Sequence, residues 1–98
     1  MKSYEAMFIL NPDLTENERK DLFTKIKDIV VKNNGKVLSG DIWSEKRKLY
    51  FPIKKYREGI YFLLNFSLDS KVVASLNHEY KLNDNILRFL ITQAGLVR

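Results

Sequence analysis

Tyr4-Glu5-Ala6-Met7-Phe8-Ile9-Leu10-Asn11-Pro12-Asp13-Leu14-Thr15-Glu16-Asn17-Glu18 changes its period partway, and that change decides the fold. Up to Asn11 it reads as a strand. Asn11-Pro12 closes it, because proline lacks an N–H and restricts the residue before it. Thr15 and Glu18 then stand at the spacing of a capping box, each side chain placed to take a free amide at a helix start. Leu22, Ile26, Ile29 and Val30 follow at helical spacing and give one apolar stripe. Acidic residues crowd the first turn and Lys32 the last, which suits the helix dipole. Asn34-Gly35 is the expected left-handed stop.

Working outward, Lys36 to about Ile53 reads as a second strand region. Pro52 cannot donate to a ladder, so this strand is expected at a sheet edge. Lys54 to Gly59 is expected to turn the chain, and Ile60 to Phe66 forms a third strand. Asp69-Ser70 caps a short helix whose Val72, Val73, Leu76 and Tyr80 share a face. After a turn at Leu82-Asn83-Asp84, Ile86 to Thr92 gives the last strand. The order is β-α-β-β-α-β, an α+β ferredoxin-like pattern with a four-stranded antiparallel sheet and two helices on one face. Residues 1–98 are read as one domain, with no linker or repeat. Two helices cover only one sheet face, yet both look apolar, since Met7, Ile9, Tyr61, Leu63, Ile86 and Leu90 alternate with the core positions. Either a partner binds on the open side or loops cover part of it.

The charge is uneven. Residues 1–34 balance, residues from Glu58 onward balance, and the whole net charge of +5 falls between Lys36 and Arg57. Lys46, Arg47, Lys48, Lys54, Lys55 and Arg57 form a run without an acid. Such a segment attracts a phosphate backbone, with affinity gained from released counterions. It equally serves as a solvated face that keeps a small protein soluble.

The chain is 45% hydrophobic, enough to fill a core. It holds no cysteine, which excludes disulfides, thiolate zinc sites and cysteine nucleophiles. No apolar run approaches the ~18–20 residues of a membrane span, and Ala6 to Leu10 is too short for a signal-peptide core. A soluble intracellular protein is expected. His78 is the only histidine, and Leu82 stands where a zincin helix needs a second. The four glycines are scattered, so no phosphate-cradling loop exists. No catalytic set, metal or cofactor site emerges. The RNA recognition motif shares this element order and stacks bases on third-strand aromatics. The matching stretch, Glu58-Gly59-Ile60-Tyr61-Phe62-Leu63-Leu64-Asn65, lacks the first basic residue and two of the aromatics.

Four segments, in order, resemble the S-six family, the sixth protein of the bacterial small ribosomal subunit. They are Tyr4 to Met7 with Ile9 to Leu14, then Lys46-Arg47-Lys48-Leu49-Tyr50-Phe51-Pro52-Ile53, then Gly59-Ile60-Tyr61, and last Tyr80 to Arg88. The likeness covers nearly the whole chain. Departures exist. Glu45 takes the place of a family glycine, Trp43 sits one residue further upstream than the family tryptophan, and Tyr50 replaces a small residue. A one-residue slip turns strand side chains to the other face, so the pairing around Glu45 and the direction of Trp43 stay open. The chain ends at Arg98 without the acidic tail of some members.

The resemblance implies a structural ribosomal protein, not an enzyme, working in the cytoplasm within the ribosome. It implies binding to the central domain of the small-subunit ribosomal RNA together with the S-eighteen protein, as a heterodimer. The alternatives are a stand-alone RNA recognition module for single strands and a ferredoxin-like domain that binds a small regulatory ligand. The expected phosphate contacts are Lys2, Lys46, Arg47, Lys48, Lys54 and Arg88. The expected partner contacts are Tyr50, Phe51 and Tyr61.

Overall fold

The computed structural model describes residues 1–93; Gly95 and the chain end at Arg98 lie outside them. The elements are β1 (Lys2–Leu10), α1 (Glu16–Lys32), β2 (Lys36–Ile53), β3 (Tyr56–Leu68), α2 (Val73–Lys81) and β4 (Ile86–Gln93), with a single 3-10 turn at Ser70–Val72 leading into α2. The sheet order is β2-β3-β1-β4 and every pairing is antiparallel. This is the expected ferredoxin-like β-α-β-β-α-β arrangement, with β2 at an edge as Pro52 requires.

The local signals act as their chemistry dictates. The Thr15 hydroxyl accepts from the Glu18 amide at 3.2 Å, and the Glu18 carboxylate accepts from the Thr15 amide at 2.9 Å. Asp69 caps the 3-10 turn by accepting from the Lys71 amide at 3.0 Å. At the end of α1 it is Asn34, not Gly35, that takes the left-handed conformation, with φ of 65°. Gly35 is needed for space. A Cβ there would lie 2.7 Å from both Val30 and Leu68 side chains.

Alternation then builds the core. Tyr4, Ala6, Phe8 and Leu10 of β1 and Ile60, Phe62, Leu64, Phe66 and Leu68 of β3 are buried on one sheet face. Leu22, Ile26, Ile29 and Val30 of α1, with Leu76 and Tyr80 of α2, close over them. Tyr80 packs edge-on against Phe8, ring centres 4.9 Å apart, and its hydroxyl donates to the Ile26 carbonyl at 2.8 Å. Among the described residues no buried side-chain nitrogen or oxygen lacks a partner.

Two expectations change. The turn after β2 is only Lys54-Lys55, and β3 already begins at Tyr56, so Gly59 lies inside a strand. There a Cβ would run into the Cγ2 methyl of Ile9. In β4, Ile86 and Leu87 are both buried instead of alternating. Ile9 pairs with Arg88 and Leu10 with Ile86, so a bulge leaves Leu87 without a counterpart and turns both side chains inward. Phe51, expected as a partner contact, lies outside the core. It is 65% exposed, and Tyr50 beside it is fully exposed.

Candidate nucleic-acid interface

The long β2–β3 hairpin carries the acid-free basic run from Lys46 to Arg57, and its shape comes from unequal pairing. The eighteen residues of β2 oppose only Tyr56 to Ser67 of β3. The surplus appears as register shifts between Val37 and Ser39, Ile42 and Ser44, Ser44 and Arg47, and Lys48 and Ile53. In the last of these, Leu49 to Pro52 face Arg57 alone. Each bulge bends and twists the strand. Lys54 and Lys55 close the hairpin with φ of 50° and 75°. A two-residue turn with both φ positive matches the twist of paired strands, although lysine is an unfavourable residue for it.

The bulges also settle the local faces. Glu45 turns toward α1, where the Arg19 guanidinium donates to its carboxylate at 2.7 Å. Trp43 goes to the opposite, open face, with its ring 5.7 Å from that of Tyr61. Arg47 joins them, its guanidinium carbon 4.9 Å from the Trp43 ring centre and 5.9 Å from that of Tyr61. Lys48 pairs with Glu58 and lines a depression of about 550 Å³ with Pro12, Asp13, Lys55, Tyr56 and Arg57. Lys46 is exposed.

Lys54, at the hairpin tip, lines a cleft of about 360 Å³ with Asn77 and Lys81 of α2 and Ile86 to Phe89 of β4. Among the described residues, three cations, Lys54, Lys81 and Arg88, thus border one cleft that no carboxylate lines. Lys81 is the residue that sequence reasoning missed. Its charge cancelled in the balanced count from Glu58 onward, so nothing in the local sequence set it apart. Lys2 is not brought to this cluster. It pairs with Leu68 at one end of β1, whereas Arg88 pairs with Ile9 seven residues further along. At ~3.3 Å per residue that separation is roughly 23 Å.

The open sheet face is apolar in rows. Leu63, Met7 and Leu90 lie side by side across β3, β1 and β4, next to the row Tyr61, Ile9 and Arg88. Leu90 is exposed, and Trp43 is 54% exposed. Loops therefore do not cover this side completely. By contrast, Ile60 and Phe62 are buried beneath the helices. The octapeptide positions that stack bases in the RNA recognition motif therefore face the core here. That removes the main structural support for a stand-alone RNA recognition module.

Titration and metal chemistry add little. The Lys32 ammonium donates to Glu79 at 2.8 Å and the Asn33 amide at 3.0 Å, and these bonds hold the Glu79 carboxyl below its ordinary pKa. Burial pushes the Tyr80 phenol up. Among the described residues no cluster of acidic and histidine side chains is arranged to hold a metal.

The family model described as "Ribosomal protein S6" matches residues 3–93. The small ribosomal subunit protein bS6 of Thermoanaerobacter pseudethanolicus is 48% identical over 91 residues, covering 93% of this chain and 95% of that protein. The bS6 protein of Caldanaerobacter subterraneus subsp. tengcongensis is 44% identical over the same shares of both chains. In three dimensions the chain is similar to the 30S ribosomal protein S6 of Thermotoga maritima, with a TM-score of 0.86 at 30% identity, covering 94% of this chain and 86% of that one. Sequence, length and fold agree, and the chain belongs to the ribosomal protein S6 family.

Proposed function

We propose that this chain, acting as one domain, is a structural protein of the small ribosomal subunit. It holds the central domain of the small-subunit ribosomal RNA together with the S-eighteen protein and performs no reaction. The observation that carries the RNA side is the cleft bordered by Lys54, Lys81 and Arg88, without a carboxylate among the described residues, in a member of this family. Phosphate contacts supply affinity and register but little sequence information. Lys46, Arg47 and Lys48 extend the positive surface along the hairpin. Lys2 reaches the same RNA only where that RNA spans the length of the sheet.

The protein side rests on the open face. The apolar rows through Met7 and Tyr61, with Trp43 beside Tyr61, offer the anchors a protein partner uses, and the exposed Phe51 is a further candidate on the hairpin. Recognition divided between RNA shape and a second protein suits a chain whose own base-stacking positions are buried.

Titrating small-subunit ribosomal RNA with the chain alone, with S-eighteen alone and with both tests this reading. The expected result is weak, salt-sensitive binding by the chain alone and tight binding by the pair. Tight, salt-resistant binding of unstructured RNA by the chain alone contradicts it.

A further inference from the structure

We propose that Tyr50 stacks on an unpaired base of the RNA, while Arg47 and Lys48 hold the phosphates on either side of that base. The inference rests on the RNA-binding reading above and adds the kind of nucleotide recognised.

Tyr50 is 104% exposed, so its ring touches nothing in the fold. An aromatic side chain contributes most when 150–250 Å² of it is removed from water, and here none is. Stability of the free protein therefore gives no reason for the ring. Its position is set by the backbone, because Leu49 to Pro52 are looped out of the ladder opposite Arg57. Arg47, Lys48, Leu49 and Tyr50 line a common depression of about 350 Å³ that no acidic residue lines.

A fully exposed ring beside two cations has two recognition needs. It requires a flat apolar face and nearby negative charge. One unpaired nucleotide supplies both, since its base has a π face and its backbone carries phosphates on each side. A protein partner with an apolar pocket meets only the first need and leaves Arg47 and Lys48 to be desolvated or matched by acids. Charge complementarity therefore favours RNA at this residue.

Stacking and phosphate contacts leave different signatures. Losing a phosphate contact flattens the salt dependence, whereas losing a stacked ring weakens binding at every salt concentration alike. The experiment measures small-subunit ribosomal RNA binding by the complex of full-length chain and S-eighteen, at several salt concentrations. The expected result is roughly tenfold weaker binding for Tyr50→Ala with an unchanged salt slope, and full affinity for Tyr50→Trp. In a Trp43→Phe background, Tyr50→Trp carries this chain's only indole, and its emission should be quenched on RNA binding. Wild-type affinity of Tyr50→Ala overturns the proposal, as does an unquenched indole in the bound complex. Weaker capture of S-eighteen by Tyr50→Ala, with RNA affinity intact, makes the ring a protein anchor and also overturns it. Failure of the RNA-binding reading itself is distinguishable, because the wild-type complex then binds no RNA at all.

Discussion

Arg19 on the first helix donates to Glu45 on the long edge strand at 2.7 Å, and this bond ties the middle of β2 to α1. Glu45 lies within the register shift between Ser44 and Arg47, next to the one between Ile42 and Ser44, where the strand has lost regular pairing with β3. The ion pair replaces part of the missing ladder. Trp43 and Arg47, on either side of Glu45 in the chain, lie on the opposite, open face.

Glu45→Ala is expected to lower global stability by under about 1 kcal/mol, because the pair is partly solvent-exposed. The larger effect is local. Amide hydrogen exchange of Trp43 to Lys48 should accelerate in the variant while that of β1 stays unchanged. Uniform acceleration across the sheet shows instead that the bond is part of the global core.

Gly59→Ala places a methyl against the Cγ2 of Ile9, a β-branched side chain with little rotamer freedom. The expected loss is about 1–3 kcal/mol, read from urea unfolding. A neutral substitution means that the strand moves aside freely and that the glycine is not a packing requirement.

The difference between a glycine in a turn and one in a strand shows where the sequence stops being legible. The capping box at Thr15 and Glu18 and the stripe from Leu22 to Val30 are local, and their readings match the structure. Pro52 marked the edge strand for the same reason. The bulges of β2 are set by distant partners, namely Gly59, Tyr61 and Phe62 on β3, so neither the direction of Glu45 nor the two-residue turn at Lys54-Lys55 follows from local pattern. The basic segment was legible as charge. Its meeting with Lys81 was not, because that meeting depends on how the hairpin tip lies against α2 and β4.

Tyr80 separates packing from hydrogen bonding. Tyr80→Phe removes the bond to the Ile26 carbonyl and should cost about 1 kcal/mol. Tyr80→Ala also empties the space beside Phe8 and Phe89 and should cost about 3–5 kcal/mol. Equal losses for the two variants contradict the view that the ring fills the core between the helices and the sheet.

Glu79 makes the fold acid-sensitive in a defined direction. Its native pKa lies below the ordinary 4.5, chiefly through the hydrogen bond from Lys32 and then that from Asn33. The unfolded chain therefore binds the proton more readily. The stabilisation is complete above the ordinary value and is lost as pH falls through the lower, native one. Stability measured from pH 6 downward should drop less steeply in Glu79→Gln than in wild type. Parallel curves indicate that the Lys32–Glu79–Asn33 contact does not persist in solution.

The central claim is that the cleft between the hairpin tip, α2 and β4 holds RNA phosphates. The direct measurement is the slope of log affinity against log salt for small-subunit ribosomal RNA, with S-eighteen present. It compares wild type with a variant carrying Lys54→Ala, Lys81→Ala and Arg88→Ala. With each phosphate contact contributing ~0.7–0.9 to the slope, the variant should bind more weakly and its line should be shallower by about two to three units. A variant line parallel to that of wild type contradicts the claim and leaves the cleft as an ordinary solvated surface.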